Sequence, residues 1–343
     1  MNNRILVLGK GPVAYQLAEA YRQLGFWPTI DTPQALTELL NTHPDNRPAL
    51  IAVAEEQVLD TEALETLEQL EQQETRVVPS SHACELATDR EALRTKASEE
   101  LGLPTLAYKL ATAKEEIAQA AEEIGFPLIL KPTKGRGQHV ATTAEELNHP
   151  FGNRELMVER YIEFDYEVTI LTVRSIDPKT GQLATWFCEP IGTRHEGARL
   201  VESWQPAALT DAARDNARSI AARITGALGG HGLFAIELFV DGEEVYFSQA
   251  TPLPGMDGML TCATQRFDQC ELFARASLLL PIDVTLTSPG ASHLKYRLGD
   301  PTLLAKALSV DETRVQVLDG AVAAHATADT IDEARDRAQE ALS

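Results

Sequence analysis

A lysine that ends an apolar run, followed by a glycine-rich basic turn, is the first feature of this chain that could bind phosphate. Residues 125–140 read GFPLILKPTKGRGQHV, so the apolar strand predicted over 128–130 ends at Lys131. The turn after it contains Gly135, Arg136, Gly137 and Gln138. Backbone N–H groups and basic side chains in such a turn can contact phosphate oxygens together. Taken alone, however, Gly-Arg-Gly is more typical of a solvated turn.

A second candidate is a carboxylate placed beside an amide on an otherwise apolar hairpin, LFAIELFVDGEEVYFSQAT at 233–251. If residues 242–244 form a three-residue loop, the facing pairs are Glu237 with Gln249, Phe239 with Phe247 and Asp241 with Val245. A bare carboxylate is costly to bury among apolar neighbours, and a divalent cation would remove that cost. The alternative is a rim position at which Glu237 reaches water or an arginine.

The composition excludes several classes of protein. The chain has 343 residues and a formal charge of −21 spread over its length, so we expect neither a nucleic-acid nor a membrane surface. The cysteines, Cys84, Cys188, Cys262 and Cys270, lie far apart without a CxxC pair, which argues against a zinc site and a disulfide framework. No apolar run approaches ~20 residues and no signal peptide is evident, so we expect a cytoplasmic location.

Alternating strand and helix patterns predict the elements that position these groups. An apolar run at 4–9 stops at Gly9-Lys10-Gly11, and residues 13–24 then carry apolar side chains at helical spacing. Two further strand–helix units follow, which predicts a parallel, doubly wound sheet. Ala14 occupies the third glycine position of a dinucleotide fingerprint, so we expect a plain turn there.

The rest of the chain divides into a long middle region and a short C-terminal one. The middle region begins with a charged helix near Thr88 and contains the Lys131 turn, a series of strands and the acidic hairpin. We therefore predict an α/β protein with an N-terminal domain at 1–87, a central domain at 88–289 and a small α+β domain at 290–343. In the last domain, Asp319-Gly320 between two β-rich runs predicts a two-residue hairpin loop.

The order of features along the chain resembles that of the ATP-grasp superfamily. These features are the parallel domain, the Lys131 turn, VERYI at 158–162 followed by Glu167, and the hairpin at 233–251. More narrowly, the chain resembles the formate-dependent glycinamide ribonucleotide transformylases of purine synthesis. The matching stretches are TDREALRTKASEELGLPT, GFPLILKP, VERYIEFDYEVTILTV, ESWQP at 202–206 and ALGGHGLFAIELFV. The related carboxyaminoimidazole ribonucleotide synthetases fit these stretches less well. The resemblance implies an N-terminal Rossmann-like domain that is followed in the chain by an ATP-grasp domain.

The resemblance also implies a binding site for ATP and Mg²⁺. The residues it implies for ATP are Arg90, Lys131, Lys134 and Arg136 at the phosphates, Gly135, Gly137 and Gln138 in a lid, Glu159 and the Ile162 backbone at the adenine, and Glu167 at the ribose. These residue types suit those groups, because carboxylates accept from amino and hydroxyl groups and cations meet phosphate. The implied metal ligands are Glu237 and Gln249, and Arg194 and Lys131 are implied to act in catalysis beside the reacting carboxylate.

Enzymes of this type phosphorylate formate, or another small carboxylate, and an amine then attacks the acyl phosphate. Small-molecule substrates and a homodimer are the partners that the resemblance implies. The residues expected to contact substrate are Gly11, Glu55, Asp257, Lys295 and Arg297.

The chain also departs from the family pattern. Gln249 replaces the second metal carboxylate, the lid is shorter, and the tight hairpin at Asp319-Gly320 leaves no room for the family's phosphate-binding loop with its lysine and paired arginines. The alternation of His293, Lys295 and Arg297 could compensate by presenting one basic strand face, although a solvated edge strand has the same pattern. Two functions therefore stay open: an ATP-dependent formyltransferase, with the acceptor changed or not, or a non-catalytic relative with weakened Mg-ATP binding.

Overall fold

The N-terminal part of the chain is a parallel sheet with helices on both faces, as the alternating pattern predicts. The computed structural model describes residues 2–135, 137–162, 164–197, 199–296, 301–318 and 320–343. The strands are β1 Arg4–Leu8, β2 Trp27–Asp31, β3 Leu50–Val53 and β4 Val77–Val78, and the helices are α1 Pro12–Gln23, α2 Gln34–Leu40, α3 Thr61–Gln72 and α4 Ser81–Thr88. The strand order is β2-β1-β3-β4. Ile5 and Val7 pack with α1, whereas Leu6 and Leu8 pack with α2 and α3, so the sheet is buried on both sides.

A small antiparallel sheet carries the Lys131 turn. Its elements are α5 Arg90–Thr95, β5 Tyr108–Ala111, α6 Lys114–Ile124, β6 Leu128–Pro132, β7 His139–Ala141 and β8 Leu156–Arg160, with strand order β5-β8-β6-β7. The Asp89 side chain caps α5, which continues into a π-helical turn at Lys96–Glu100. Leu128, Leu130 and Val158 face α6. Strand alternation therefore places Lys131 and Glu159 together on the opposite face.

The rest of the chain builds one large sheet. Its elements are β9 Tyr166–Ile176, β10 Leu183–Phe187, β11 Ile191–Glu196, β12 Arg199–Gln205, α7 Asp211–Leu228, β13 Gly232–Asp241, β14 Glu244–Thr251, α8 Thr261–Thr264, α9 Gln269–Ser277, β15 Gly290–Lys295, α10 Pro301–Ala307, β16 Thr313–Leu318, β17 Ala321–Thr327 and α11 Ile331–Ala341. The strand order is β14-β13-β9-β11-β12-β15-β17-β16, and β10 pairs with β9. The C-terminal strands thus continue the sheet of the central region through β12 and β15.

The two faces of the large sheet have different partners. On one face, Val168, Ile170 and Ile236 pack with α7. On the other face, Leu171 and Ala235 belong to the same apolar core as α1 and α9, which joins the sheet to the N-terminal domain. We call this second face the cleft face, because the polar residues discussed below lie on it.

The structure confirms the predicted loop length in one of the two hairpins and contradicts it in the other. Leu318 pairs with Ala321, which confirms the two-residue loop; Gly320 has a φ of 82°, and Asp319 lies outside the described residues. In the β13–β14 hairpin, Asp241 pairs with Glu244, so the predicted three-residue loop is wrong and the loop has two residues. A bulge at Ser248 restores the register, and Glu237 faces Gln249 as predicted.

Candidate functional site

A buried ion triad lies where the small sheet meets the large one. The Lys131 ammonium lies 2.7 Å from Glu159 Oε2, and the Arg94 guanidinium pairs with Glu159 Oε1. Glu159 is fully buried, and the exposed fraction of the Lys131 side chain is 13%. Burial alone would raise the pKa of Glu159, but the charges of Lys131 and Arg94 lower it to about 2. One carboxylate therefore holds two cations, and the triad keeps a net positive charge beneath the cleft.

Arg94 connects this triad to the hairpin of β13 and β14. Its Nη2 donates to the carbonyl oxygen of Ser248 at 3.0 Å, which is the bulge residue beside Gln249. Sequence reasoning missed Arg94, because it lies among other charged residues of the helix that begins after Asp89.

A row of polar side chains crosses the cleft face next to this triad. Glu237 on β13 pairs directly with Thr169 on β9, and Glu167 lies two residues earlier on the same face. Thr169 Oγ1 donates to Asp257 Oδ2 at 2.8 Å, which holds Asp257 beside the row. The apolar core of this face includes Leu171, so the polar row begins where that core ends.

The electrostatics of the row show crowded negative charge. Burial raises the pKa of Glu237 to about 8, and the neighbouring charges of Asp257 and Glu167 add to this rise. Lys131 and His195 act in the opposite direction, so the Lys131 ammonium lies within electrostatic range of Glu237. Burial also raises the pKa of Asp257. A cation bound in this cleft would therefore be stabilised.

His195 is the second group, with Lys131, whose positive charge lowers the pKa of Glu237. Its Nδ1 lies 2.8 Å from Glu167 Oε2. Burial would lower the pKa of His195, but the hydrogen bond and charge of Glu167 raise it overall. Glu167, predicted to bind ribose hydroxyls, thus has one carboxylate oxygen engaged. Sequence reasoning did not identify His195, although it lies in the same GTRHEG stretch as Arg194.

The predicted metal ligands, Glu237 and Gln249, are cross-strand neighbours. The Gln249 amide donates through Nε2 to the carbonyl oxygen of Ala87 at 3.3 Å. Within the part of the chain that the structure describes, no group of three or more His, Cys, Asp or Glu side chains could hold a metal ion. A metal here would therefore need further oxygen ligands from a bound phosphate.

The predicted lid contacts Asp89 and Arg90 at the start of α5. Arg90 donates to the carbonyl oxygens of Pro132 at 2.6 Å and Gly135 at 2.5 Å, and Lys134 lies 3.2 Å from Asp89. Gly137 has a φ of 111°, and a Cβ there would lie 2.9 Å from the Phe151 ring, so only glycine fits.

The other residues predicted to bind ATP have varied surroundings. Gln138 donates to the Gly197 carbonyl at 3.2 Å, and Ile162 is half-buried just after β8. Arg136 lies outside the described residues. The Glu159 carboxylate pairs with two cations, Arg94 and Lys131, and its contact with adenine stays a prediction.

The structure does not bring Arg194 to the cleft face. Glu167 pairs with Thr193, so strand alternation directs Arg194 to the opposite face. There its Nε lies 3.1 Å from Glu202, which also binds Arg335 of α11. These three residues line a cavity of about 360 Å³ together with His293. The predicted place of Arg194 beside the other site residues is therefore wrong.

The basic strand face suggested as a phosphate site lies under α11. His293 lines the same cavity as Arg194, and Lys295 Nζ donates to the Leu342 carbonyl at 2.7 Å. His293 and Lys295 do share a face, as their alternation predicts, but it is not the cleft face. The structure thus contradicts a substrate contact by Lys295 at the cleft, and Arg297 lies outside the described residues.

The remaining predicted substrate residues meet at the start of α1. Glu55 Oε1 accepts from the Gly11 backbone N at 2.5 Å, and Oε2 accepts from Lys10 N at 3.2 Å. A Cβ at Gly11 would lie 2.6 Å from Glu55 Oε1, so a larger residue there would displace the Glu55 carboxylate. This turn places a carboxylate at the edge of the N-terminal domain.

Comparison with known proteins adds independent findings. A family model described as the ATP-grasp domain matches residues 96–270. A formate-dependent phosphoribosylglycinamide formyltransferase from Corynebacterium efficiens is 42% identical over an alignment that is 353 residues long with its gaps. The alignment covers 92% of this chain and 86% of that protein. Glycinamide-RNase-transformylase T from Mycobacterium tuberculosis has a solved structure with a TM-score of 0.82, 32% identity and 98% coverage of both chains.

A more distant solved structure shares the fold alone. Carboxyaminoimidazole ribonucleotide synthase from Aspergillus clavatus, complexed with ATP, has a TM-score of 0.85 at 18% identity and covers 99% of this chain and 97% of that one. No helix among the described residues is long and apolar enough to cross a membrane.

Proposed function

This chain belongs to the ATP-grasp superfamily and, within it, to the formate-dependent phosphoribosylglycinamide formyltransferases, and we propose that it uses Mg-ATP to transfer formate to an amine. The observation that carries the proposal is the meeting of two charge systems in one cleft. The Arg94–Glu159–Lys131 triad presents an ammonium from one sheet, and the other sheet presents Glu237 within its electrostatic range. Positive charge for phosphate oxygens and carboxylates for a cation are what phosphoryl transfer from Mg-ATP requires.

The proposed reaction has two steps. A formate oxygen attacks the γ-phosphorus of ATP, the bond from that phosphorus to the bridging oxygen breaks, and ADP leaves. The amine nitrogen then attacks the carbonyl carbon of formyl phosphate, the bond from that carbon to the phosphate oxygen breaks, and the nitrogen loses a proton. The products are ADP, phosphate and the formylated amine.

The residues of this chain have separable roles in those steps. Lys131 neutralises charge on the phosphates, and Glu159 fixes its ammonium at 2.7 Å so that little reorganisation is needed. Asp257, held by Thr169, has a raised pKa and can accept the proton that the amine loses. His195 limits the negative charge that Glu167 brings to the cleft.

Mg²⁺ is part of the same proposal. Burial and the neighbouring acids raise the pKa of Glu237 to about 8. A bound cation would offset the energetic cost of keeping this buried carboxylate ionised. Glu237 and the Gln249 amide oxygen would hold the ion from the protein side, while oxygens of the nucleotide supply further ligands. When bound, Mg²⁺ neutralises phosphate charge. Because an amide brings no negative charge, the affinity for Mg-ATP should be lower than with a second carboxylate.

A hydroxylamine trap tests the activation step without requiring the natural acceptor. Hydroxylamine attacks formyl phosphate, so ADP release that depends on both formate and hydroxylamine reports its formation. Lys131→Met should reduce this rate by ~100-fold, as expected for loss of a positioned charge. Lys109→Met is the matched control, because Lys109 lies on the same small sheet with its side chain 53% exposed and should leave the rate unchanged.

The alternative is a non-catalytic protein that binds Mg-ATP weakly. Gln249 favours this alternative, because an amide brings no negative charge to the metal. Binding of Mg-ATP without formate-dependent ADP release would support that alternative. A cytoplasmic location and a homodimer are further parts of our proposal, which rest on family resemblance; light scattering of the purified chain checks the dimer.

A further inference from the structure

A buried glutamine fastens the loop that carries Asp257. Gln269 is the first residue of α9, and its exposed fraction is 2%. Its Oε1 accepts a hydrogen bond from the backbone N of Gly255 at 3.0 Å, and its Nε2 donates to the carbonyl oxygen of Gly255 at 2.8 Å. One side-chain amide therefore satisfies both backbone groups of Gly255, in the way that a residue of a neighbouring antiparallel strand would.

A second set of contacts holds Gly258, the residue after Asp257. The Thr261 hydroxyl donates to the carbonyl oxygen of Gly258 at 2.6 Å and accepts from the backbone N of Gln269 at 2.9 Å. A Cβ at Gly258 would overlap the Gln269 side chain and would lie 3.2 Å from the side chain of Leu171 on β9. Gly258 is therefore packed between α9 and the large sheet.

Asp257 is thus held from two sides. Its Oδ2 accepts from Thr169 Oγ1 of β9 at 2.8 Å, and its backbone runs between the two fixed residues, Gly255 and Gly258. A general base acts only when it lies within hydrogen-bond reach of the proton that it accepts, and a misplacement of ~1 Å can lower a rate by ~100-fold. The hydrogen bonds of Gln269 therefore bear on where the Asp257 carboxylate lies.

We infer that Gln269 is a positioning residue for the second step of the proposed reaction. Through Gly255, it holds the Asp257 carboxylate where that carboxylate accepts the proton of the attacking amine. The nitrogen forms its bond to the formyl carbon, the bond from that carbon to the phosphate oxygen breaks, and the proton passes to Asp257. The first step uses Lys131 and Glu237, which lie on β6 and β13, so we expect it to be independent of Gln269. This inference rests on the proposed formyltransferase function and extends it to the residue that positions its base.

The test compares two rates of formate-dependent ADP release, one with glycinamide ribonucleotide and one with hydroxylamine. The amine of glycinamide ribonucleotide must lose a proton to a base, whereas hydroxylamine attacks acyl phosphates without one. The ratio of the two rates does not depend on the fraction of the enzyme that is folded. Gln269→Met keeps the side-chain volume and removes both hydrogen bonds to Gly255, so it should lower this ratio by about tenfold.

Two further variants make the comparison specific. Gln265→Met is the matched control, because Gln265 is 7% exposed and its Oε1 accepts from Cys188. Its ratio should equal that of the wild type. In Asp257→Asn, which already lacks the base, adding Gln269→Met should lower the ratio no further, because two changes that remove the same function are not additive.

The conservative variant Gln269→Glu provides a rescue. A protonated carboxyl at this position can accept from the Gly255 N–H and donate to the Gly255 carbonyl, whereas a carboxylate can only accept. Compared with the wild type at the same pH, the ratio in this variant should therefore approach the wild-type ratio as the pH falls. A ratio that stays low at every pH would contradict a role for these hydrogen bonds.

The remaining outcomes separate this inference from the proposed function. An unchanged ratio in Gln269→Met, an equal fall in Gln265→Met, or a further fall in the Asp257→Asn background overturns the inference. Wild-type ADP release with hydroxylamine but not with glycinamide ribonucleotide also overturns it, and leaves formate activation intact. Absence of ADP release with hydroxylamine in the wild type overturns the proposed function and this inference together.

Discussion

Replacing Glu159 with glutamine should destabilise the fold, because it leaves two buried cations without their shared anion. Lys131 and Arg94 both pair with this carboxylate, and the side chains of Arg94 and Glu159 are 4% and 0% exposed. Glutamine keeps the shape of the side chain and removes its charge. The substitution therefore tests the charge and not the packing.

The structure gives the size of the loss by two routes. Burial would raise the pKa of Glu159, yet Lys131 and Arg94 lower it from the ordinary 4.5 to about 2. A carboxyl with these folded and unfolded pKa values stabilises the fold by ~3 kcal/mol at pH 7. This contribution is fully present above about pH 4.5 and disappears as the pH falls through about 2. Removing one partner of a buried ion pair typically costs ~3–5 kcal/mol, so we expect a loss of ~3 kcal/mol.

Urea unfolding at pH 7 measures the free energy of unfolding of Glu159→Gln against the wild type. Glu100→Gln is the matched control, because its partner Lys96 lies at 2.6 Å in a surface pair with Glu100 57% exposed. That control should lose less than ~0.5 kcal/mol. If Glu159→Gln loses no more than its control, the triad does not stabilise the fold and the reasoning about it is refuted.

Two further predictions concern the acidic hairpin. Gln249→Glu should tighten Mg-ATP binding by ~tenfold, or ~1.4 kcal/mol, because it adds a charged ligand beside Glu237; calorimetry with an unchanged Kd would contradict this. Because the pKa of Glu237 is raised to about 8 in the folded chain, wild-type stability should fall as the pH rises from about 4.5 to about 8. Glu237→Gln should flatten this part of the curve of Tm against pH, and a slope equal to that of the wild type would argue against a buried charge at this position.

Local patterns were sufficient to predict much of the fold. The apolar run at 4–9 and the helical spacing at 13–24 correspond to the strand Arg4–Leu8 and the helix Pro12–Gln23. The pairing of Glu237 with Gln249 was predicted from a three-residue loop, and it is present because the bulge at Ser248 compensates for the shorter, two-residue loop. The bulge was not predictable, because it is stabilised by Arg94, 154 residues away in the chain.

The parts of the site that sequence could not provide depend on contacts between distant elements. Alternation correctly places His293 and Lys295 on one face, but only the packing of α11 decides that this face is covered. Similarly, Arg194 pairs with Glu202, which also pairs with Arg335, on the face opposite Glu167. The buried partners of Glu159 come from two elements, and no local pattern indicates that they meet.

The measurement that tests the central claim most directly is ADP release by the purified chain with Mg-ATP, formate and hydroxylamine. Our account predicts ADP formation that requires both formate and hydroxylamine, and that is lost in Lys131→Met but retained in Lys109→Met. Mg-ATP binding without formate-dependent ADP formation in the wild type would contradict it.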